Sequence, residues 1–290
     1  MFAALVKLSR PAHWPKNVFV LAPLVFAQLL HVPSAVARTL VAFVCFCAAS
    51  SVVYIFNDYL DRDLDRRHPV KKLRPLAAGT VSPTAALVFA TVLVVALVLG
   101  ASRLGSGFMT VIFSYLALNA LYSLGLKRVV ILDVMIVSLG FVLRVLGGGA
   151  AISVEISAWL LLCTIFLALF LAFSKRRHEL ILLADEASTQ RLVLSHYNAD
   201  FLDQMINVVT ASTVVSYALY SVAPETVARF ETGFLLYTIP FVLFGIFRYL
   251  YLIYQAPERI NPTEAVVRDL PSILNIAFWG CAVIGIIYFA

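Results

Sequence analysis

The sequence predicts an all-α, polytopic membrane protein with about nine transmembrane helices, and three observations support that fold class. Of the 290 residues, 62% are apolar and 13% are charged, whereas soluble domains are about 45–50% apolar and about 25% charged. The apolar residues form continuous runs of about 20, which is the length of a spanning helix. A transmembrane β-barrel would instead show strands of about ten residues with alternating polarity. A soluble domain and a β-barrel are therefore excluded.

Nine apolar segments define the helices in chain order when the sequence is read in a window of about 19 residues. The predicted helices cover residues 17–32, 36–56, 83–102, 107–124, 129–151, 156–174, 204–223, 233–254 and 270–289. Most of the connecting segments are short. We therefore expect one integral-membrane domain over residues 1–290, without a second, soluble domain.

Basic residues predict the orientation of these helices. Seventeen of the 22 Lys and Arg residues lie before the first predicted helix or after helices 2, 4, 6 and 8, and three lie in the alternate segments. Cytoplasmic loops carry such an excess, so we expect these segments on the cytoplasmic side of a bacterial plasma membrane. Topology and contact with anionic lipid explain the net charge of +6, and we expect no nucleic-acid partner. The oligomeric state stays open, a homo-oligomer included.

Carboxylates follow the second predicted helix at helical spacing. On a continuous helix, Asp61 lies about 60° and Asp65 about 20° from Asp58, while Asp63 points away by about 140°. Like charges at these spacings repel each other, so a solvated surface gains nothing from them, whereas a divalent cation does. Magnesium typically takes one or two carboxylates and substrate phosphate oxygens. Asp58, Asp61 and Asp65 are therefore the predicted metal ligands and catalytic residues.

The loop after these carboxylates is basic and contains prolines. It covers residues 68–75 and includes Lys71 and Arg74, and cations beside a metal site suit a diphosphate group. Lys71 and Arg74 are therefore predicted to bind substrate. A solvated juxtamembrane helix, in which Asp63 pairs with neighbouring arginines, is the alternative interpretation of the segment.

These residues form the motif Asn57-Asp58-x-x-Asp61-x-x-x-Asp65, which resembles the first aspartate-rich motif of the UbiA-type intramembrane prenyltransferase superfamily. The resemblance implies a UbiA-like bundle of nine transmembrane helices with a magnesium-diphosphate site that faces the cytoplasm. Within the superfamily, the chain is most similar to the decaprenyl-phosphate (polyprenyl-phosphate) phosphoribosyltransferases. The resemblance also implies that Asn57 and Arg66 bind substrate. The similar segments are residues 10–17, 53–79, 122–127, 144–148, 175–179 and 267–269.

The segment after predicted helix 6 departs from the aromatic prenyltransferases of the superfamily. Those enzymes carry a second aspartate-rich motif there, whereas this sequence reads Ser-Lys-Arg-Arg-His-Glu over residues 174–179. An additional phosphate is bound by Lys and Arg, whereas a second magnesium needs carboxylates. Lys175, Arg176 and Glu179 are therefore predicted to bind phosphoribosyl diphosphate, and simple topology marking is the alternative. The loop from about 175 to 203 is interpreted as an amphipathic or solvated cytoplasmic segment, and a segment that covers the site is the alternative.

Three further cations are predicted to bind substrate. Lys16 opens predicted helix 1, and Lys127 follows helix 4. Arg144 lies within helix 5, eleven residues after Asp133, so the two share a face within about 20°. An arginine at this depth usually faces a cavity or an ion partner, and snorkelling to the outer surface is the alternative. The glycines at 147–149 indicate close helix packing.

Together, these features predict a magnesium-dependent enzyme. The predicted reaction transfers 5-phosphoribosyl from phosphoribosyl diphosphate (PRPP) to a polyprenyl phosphate and releases diphosphate, for cell-envelope arabinan or a related glycan precursor. Prenyl transfer from a prenyl diphosphate to an aromatic acceptor is the alternative activity, and a lipid transporter or flippase is the non-enzymatic one. Because the carboxylates repel each other, we expect Asp58→Ala or Asp61→Ala to abolish turnover and leave the fold intact.

Overall fold

The computed structural model describes residues 2–67, 71–182, 194–255 and 268–290. All regular structure in these ranges is helical, which confirms the predicted fold class. The α-helices are α1 (Phe2–Ser9), α2 (Ala22–Phe26), α3 (Pro33–Leu60), α4 (Arg62–Asp65), α5 (Pro83–Leu104), α6 (Ser106–Leu124), α7 (Leu132–Ile152), α8 (Ala158–Leu182), α9 (Ala199–Val222), α10 (Pro224–Phe230), α11 (Ile239–Gln255) and α12 (Leu270–Phe289). Short 3₁₀ helices cover Pro11–Leu21, Lys71–Leu73, Leu126–Arg128, Leu194–His196 and Phe234–Thr238.

Eight helices in the described ranges are long and apolar enough to cross a membrane, counting Phe234–Gln255 as one. The predicted first helix, 17–32, is not continuous, so the count of nine was approximate. This segment is a 3₁₀ helix to Leu21, then the five-residue α2, and the backbone turns left-handed at Gln28 (φ 58°). Pro23 lies in the segment and Pro15 lies two residues before it, and neither has the N–H that an α-helical hydrogen bond requires.

The apolar surface of α5 fits a lipid environment. Val88, Val92, Val95 and Leu99 lie on one face of this helix, and each is more than half exposed. Large apolar side chains form such contiguous exposed patches where a protein contacts a membrane or a partner. With the eight spanning helices, this surface indicates a multi-pass membrane protein.

Polar ends extend several helices beyond the predicted apolar runs. Helix α3 continues to Leu60 and α8 to Leu182, whereas apolarity alone predicted ends at 56 and 174. A hydropathy window detects the membrane-embedded part of a helix, so polar residues that extend it go unseen. The predicted site residues Asn57, Asp58, Lys175 and Arg176 consequently lie on helices.

Contacts divide the chain into two compact units. Unit 1 comprises Met1–Leu124 and Gly140–Ile156, and unit 2 comprises Gly125–Leu139 and Ser157–Ala290. The single domain expected from the sequence stays a prediction.

Helix α3 is at the centre of unit 1, where it contacts α1, α5, α6 and the 3₁₀ helix Pro11–Leu21. Phe46 on α3 packs edge-on against Phe108 and Tyr115 of α6. At the start of α3, Arg38 donates to the carbonyls of Leu104 and Ala151 at 2.9 and 2.6 Å. These carbonyls lie at the C-terminal ends of α5 and α7, where backbone acceptors lack helical partners and a cation is favourable.

Glycines allow close packing within unit 1, as the sequence predicted. A Cβ atom on Gly147 would lie 2.4 Å from the Phe46 ring, and one on Gly148 would lie 2.1 Å from the Val20 carbonyl oxygen. Side chains at these positions would therefore displace α7 from its neighbours.

Unit 2 is built on α8, α9, α11 and α12. Its core contains Phe170 and Phe173 of α8, Ile206 of α9 and Tyr249 of α11. The Asn198 side chain caps α9 by accepting from the Phe201 N–H at 2.7 Å. Such caps satisfy backbone donors at helix starts, so α9 begins at Ala199, five residues before the predicted start at 204.

Candidate active site

The predicted carboxylate stripe begins in α3 and ends after it. Asp58 lies in the last turn of α3, and Asp65 is the last residue of α4. Asp61 lies between the two helices with φ −89° and ψ 4°, and its N–H donates to the Asn57 carbonyl. The continuous helix assumed for the stripe is therefore interrupted at Asp61. Asp58 and Asp65 are nevertheless both buried, with 2% and 4% of their surfaces exposed.

Arg74 joins the two buried carboxylates. One nitrogen of its guanidinium, Nη1, lies 3.1 Å from Asp58 Oδ1 and 2.6 Å from Asp65 Oδ2. Because both distances start from one nitrogen, the two carboxylates are close enough to share a cation. Buried charges require such pairing, and Arg74 provides it here.

Arg10 provides a second cation for Asp58. Its Nη2 atom lies 2.5 Å from Asp58 Oδ1, and its guanidinium lies over the Tyr54 ring, 4.8 Å from the centroid. The Arg10 backbone is left-handed (φ 52°, ψ 62°), which is unfavourable for a residue with a Cβ and persists only where the surroundings hold it. The carboxylate cluster is thus paired with cations, which removes the reason for expecting Asp58→Ala to leave the fold intact.

Asp63 lies on the exposed side of this segment, as predicted. Its side chain is 72% exposed and lies 3.3 Å from Arg62 and 3.2 Å from Arg66. The alternative of solvated Asp–Arg pairs therefore holds for Asp63. Arg66, whose side chain is half exposed, also donates from Nε to the Ala77 carbonyl at 3.3 Å, and its substrate role stays a prediction.

Four other predicted substrate ligands are only partly exposed. They lie at the end of α3 and in three of the 3₁₀ helices: Asn57, Lys16, Lys71 and Lys127. Their contacts with substrate stay predictions. Residues 68–70 of the predicted phosphate loop, residues 183–193 of the predicted cytoplasmic segment and residue 267 of the last similar segment lie outside the described residues.

Arg144 is buried within α7, with 7% of its surface exposed. Its guanidinium donates to Asn17 Oδ1 at 2.8 Å, to the Gly140 carbonyl at 2.8 Å and to the Tyr115 hydroxyl at 2.9 Å. All three partners are neutral. The snorkelling alternative does not describe this side chain. Asp133 shares a face of α7 with Arg144 but forms no ion pair with it, because the Asp133 carboxylate binds other side chains.

Asp133 lies at the centre of a buried network in unit 2. Its two oxygens accept from Arg176 Nε at 2.7 Å and from the Tyr197 hydroxyl at 2.8 Å. Burial raises the pKa of Tyr197 to about 12, so this hydroxyl stays protonated at neutral pH and can donate. Its oxygen also accepts from the Ile131 N–H at 2.6 Å. Arg176 extends the network through Nη1, 2.6 Å from Glu179 Oε2.

The two predicted phosphate ligands on α8 differ in their environment. The Arg176 side chain is 5% exposed and contacts two carboxylates, whereas the Lys175 side chain is 39% exposed and lies 3.8 Å from Glu179. Topology marking alone does not explain a buried arginine at this position. Of the two, Lys175 is the side chain that a soluble phosphate can reach without breaking a buried ion pair.

The carboxylates in unit 1 fit a magnesium ion that the protein and a diphosphate hold together. No three His, Cys, Asp or Glu side chains converge to form a metal site within the described ranges, so a complete cage of protein ligands is absent there. Asp58 and Asp65 are a buried pair that already shares one cation, and magnesium typically takes one or two carboxylates beside phosphate oxygens. These residues therefore fit an ion held jointly with a diphosphate. Asp61 as a third ligand stays a prediction.

Comparison with known proteins identifies the family. The family model described as the UbiA prenyltransferase family matches residues 18–263. The chain belongs to the UbiA prenyltransferase family. Two similar UbiA relatives are named decaprenyl-phosphate phosphoribosyltransferase. The Mycolicibacterium smegmatis protein is 33% identical over 100% of this chain and 94% of its own length. The Mycobacterium tuberculosis protein is 34% identical over 86% of this chain and 83% of its own length.

Solved structures confirm the UbiA fold. A UbiA homolog from Archaeoglobus fulgidus, solved bound to GPP and Mg2+, matches 98% of this chain and 99% of its own with a TM-score of 0.73. The two sequences are 17% identical, so the likeness concerns the fold alone. The helical order of this chain is therefore that of a UbiA-type membrane protein.

Sequence reasoning missed three polar residues of this UbiA protein. Arg10 was counted only as a topology marker, although it directly precedes Pro11 in a segment similar to the family. Asn17, the neighbour of Lys16, had no assigned role, yet it is fully buried and binds Arg144. No sequence pattern indicated a role for Tyr197, because it is 64 positions from its partner Asp133.

Proposed function

We propose that this UbiA-family protein transfers the 5-phosphoribosyl group of PRPP to a polyprenyl phosphate and releases diphosphate. The observation that carries the proposal is the buried pair Asp58 and Asp65, which shares one cation at the end of a membrane-spanning helix. Such a pair suits a magnesium-bound diphosphate. The choice of donor and acceptor is supported by the relatives named decaprenyl-phosphate phosphoribosyltransferase, whose similarity extends over most of the chain.

The reaction needs no redox partner and no activated side-chain nucleophile. The bond from ribose C1 to the diphosphate oxygen breaks, and its electron pair leaves with the diphosphate. An oxygen of the lipid phosphate, already anionic at neutral pH, forms the new bond to C1. When bound, magnesium neutralises charge on the departing diphosphate, which lowers the barrier to an oxocarbenium-like transition state.

The protein's own contribution in unit 1 is charge placement. Asp58 and Asp65, with Asp61 between them, would hold the metal, and Asn57 lies one residue before this group. Arg74 lies beside both buried carboxylates, so its cation is already where a diphosphate would bind. Lys16, Arg66 and Lys71 are proposed as further contacts to the phosphates, because cation–phosphate hydrogen bonds are among the stronger ones.

Unit 2 carries cations of its own that we propose as phosphate ligands. Lys175 and Lys127 are partly exposed cations, and we assign Lys175 to a phosphate of the donor. Arg176 and Glu179 belong to the Asp133 network. We propose that this network fixes the end of α8 that carries Lys175.

The acceptor fits a protein with lipid-facing helices. A polyprenyl chain is apolar and lies in the membrane, while PRPP is soluble and reaches the protein from the aqueous side. The 17 basic residues of the predicted inner segments support a cytoplasmic location for the Asp58 end of α3 in a bacterial plasma membrane. A cysteine at exposed Lys72 should react with an impermeant maleimide only after the cells are opened. A cysteine at Arg103 should react in intact cells.

The proposed function is tested by product formation. Purified protein in detergent is incubated with PRPP labelled in the ribose, decaprenyl phosphate and magnesium, and label is counted in the lipid extract. We expect lipid-linked label that requires decaprenyl phosphate, is lost with EDTA and returns with excess magnesium. Asp58→Asn is the inactive control, and Asp63→Asn is the matched exposed control. Binding of decaprenyl phosphate without any diphosphate release would support a transporter instead.

Prenyl transfer is the second candidate function. The A. fulgidus homolog was solved with GPP and Mg2+, so the same fold accommodates a prenyl diphosphate. Geranyl diphosphate with an aromatic acid as acceptor provides the corresponding assay. Turnover of this pair, with none of PRPP, would replace the phosphoribosyl assignment and keep the diphosphate site.

A further inference from the structure

A buried cation lies deeper in the membrane part of unit 1 than the carboxylates. Arg144 is bonded to Asn17, which donates to Ser50 Oγ and Cys47 Sγ of α3, both at 3.3 Å. Ser50 precedes Asp58 by eight residues, which is about 12 Å along a helix. The guanidinium therefore lies about two helical turns along α3 from the carboxylates, beside the apolar part of the helix.

The charge of Arg144 has no acidic partner within the described residues. Unit 1 contains only five acidic residues in its sequence, of which four are clustered between Asp58 and Asp65 and the fifth is Glu155. Asp58 pairs with Arg10 and Arg74, and Asp65 pairs with Arg74. A buried cation without a counter-ion is unfavourable in a membrane segment. An anion from outside the chain would remove that penalty.

The Arg144 guanidinium is held by three hydrogen bonds and has further N–H donors. An arginine has five N–H groups, and the bonds to Asn17, Gly140 and Tyr115 use three of them. Two N–H groups thus remain without an acceptor in the described part of the chain. The rings of Tyr115 and Phe141 lie 4.9 and 5.2 Å from the guanidinium carbon and hold its plane. A planar guanidinium with two free donors matches the oxygens of a phosphate.

Polar groups on α3 connect this cation with the carboxylates. Tyr54 is one helical turn from both Ser50 and Asp58, and it lies within electrostatic reach of both Arg10 and Arg144. Arg10 in turn contacts both Tyr54 and Asp58. The order along α3 is therefore carboxylates at the end of the helix, then the aromatic hydroxyl, then the buried guanidinium.

We propose that Arg144 binds the phosphate head group of the lipid acceptor, with Asn17 and Tyr115 as positioning residues. This inference rests on the proposed phosphoribosyl transfer. The depth of Arg144 along α3 favours the lipid phosphate as its ligand, rather than a phosphate of PRPP. A head group attached to a membrane-embedded chain reaches Arg144 from the apolar region, whereas PRPP approaches the carboxylate end of α3. Arg144 would then present an oxygen of the acceptor towards the donor bound at Asp58.

The test separates the acceptor from the donor. Arg144→Lys keeps the charge and loses the planar pair of donors. We expect the KM for decaprenyl phosphate to rise about 10-fold or more, as for loss of a charge-assisted hydrogen bond, while the KM for PRPP changes by less than about 3-fold. Binding of decaprenol, which lacks the phosphate, should be equal in wild type and variant. A rise in the KM for PRPP alone would assign Arg144 to the donor and overturn the inference.

Two further variants exclude a purely structural effect. Arg38→Lys is the matched control, because Arg38 is another partly buried arginine of unit 1 and donates to backbone carbonyls in the described part of the chain. It should lower the Tm without changing the KM for decaprenyl phosphate. Asn17→Asp places a carboxylate against Arg144 without changing side-chain size. It should preserve the Tm and weaken binding of decaprenyl phosphate, since the protein then supplies the counter-ion; unchanged binding would contradict the inference.

Failure of the proposed function can be recognised separately. Binding of decaprenyl phosphate is measured without any donor, by its protection of the purified protein against thermal unfolding. Protection that depends on Arg144 while PRPP is not consumed would keep the lipid-phosphate site and reject the reaction. Turnover of PRPP with an acceptor KM that does not respond to Arg144→Lys would reject the site and keep the reaction.

Discussion

Arg10 and Asp58 are 48 positions apart in the sequence and form an ion pair of 2.5 Å. The pair connects the N-terminal segment with the last turn of α3. Arg10 holds it from a left-handed backbone conformation, so the local geometry is determined by tertiary contacts. The N-terminal segment is therefore part of the carboxylate cluster.

Arg10→Ala should lower both turnover and stability. The change removes one of two cations from the buried Asp58 carboxylate, and a hydrogen bond to a charged group contributes about 1.5–3 kcal/mol. We expect Arg10→Lys to recover part of the loss. Thermal unfolding in detergent and PRPP turnover measure the two effects. Lys7→Ala is the control, since the Lys7 ammonium donates to the Leu73 carbonyl at 3.5 Å and forms no ion pair with a carboxylate of the described residues. Equal turnover in the wild type and the three variants would show that Arg10 does not contribute to the site.

Asp58→Asn should abolish turnover and also lower the Tm. Removal of this charge leaves Arg10 and Arg74 facing a neutral group in a buried environment, and breaking a buried pair costs about 3–5 kcal/mol. Asp63→Asn should change stability by less than about 1 kcal/mol, because an exposed pair contributes little. The measurement is turnover and thermal unfolding of both variants side by side. Similar losses at the two positions would show that the buried and exposed carboxylates are not functionally distinct.

Lys175→Ala should weaken the use of PRPP without disturbing the fold. Loss of one charge-assisted contact to phosphate corresponds to a KM for PRPP about 10-fold to 150-fold higher, with a smaller change for polyprenyl phosphate. Arg176→Ala should instead destabilise the protein, because fully buried Asp133 loses its cation. Steady-state kinetics and thermal unfolding distinguish the two. An unchanged KM for PRPP in a folded Lys175→Ala protein would remove Lys175 from the donor site.

Gly148→Ala should destabilise unit 1. The new Cβ would meet the Val20 carbonyl oxygen at 2.1 Å, and overpacking typically costs about 1–3 kcal/mol. Gly280→Ala is the matched control, because that glycine also lies in a helix and nothing lies within 4 Å of its Cβ position; it should gain about 0.5–1 kcal/mol. Thermal unfolding compares the two. A stable Gly148→Ala protein would mean that α7 can move away from Val20 at little cost.

The sequence predicted those parts of the fold that depend on local pattern. Residues 270–289 were predicted as a helix and form α12, because a continuous apolar run in a membrane leaves the backbone no other means of satisfying its hydrogen bonds. The segment 17–32 was predicted incorrectly as one helix, since hydropathy does not register that Pro23 within it and Pro15 just before it lack the N–H for α-helical bonding.

The candidate site was predictable only where its residues are close in sequence. The spacing from Asp58 to Asp65 was visible, and so was the exposure of Asp63. Partners of these groups were not visible, because the pairs depend on packing between distant segments. Asp133 shows the limit: its helical spacing pointed to Arg144, whereas its partner is Arg176, 43 positions away.

The most direct test of phosphoribosyl transfer compares two donor and acceptor pairs in one preparation of purified protein. One reaction contains PRPP and decaprenyl phosphate, the other contains geranyl diphosphate and an aromatic acid, and both contain magnesium. Released diphosphate and extracted lipid product are quantified together. We expect equal amounts of diphosphate and phosphoribosyl lipid in the first reaction, and neither product with Asp58→Asn. Diphosphate release only in the second reaction would contradict phosphoribosyl transfer.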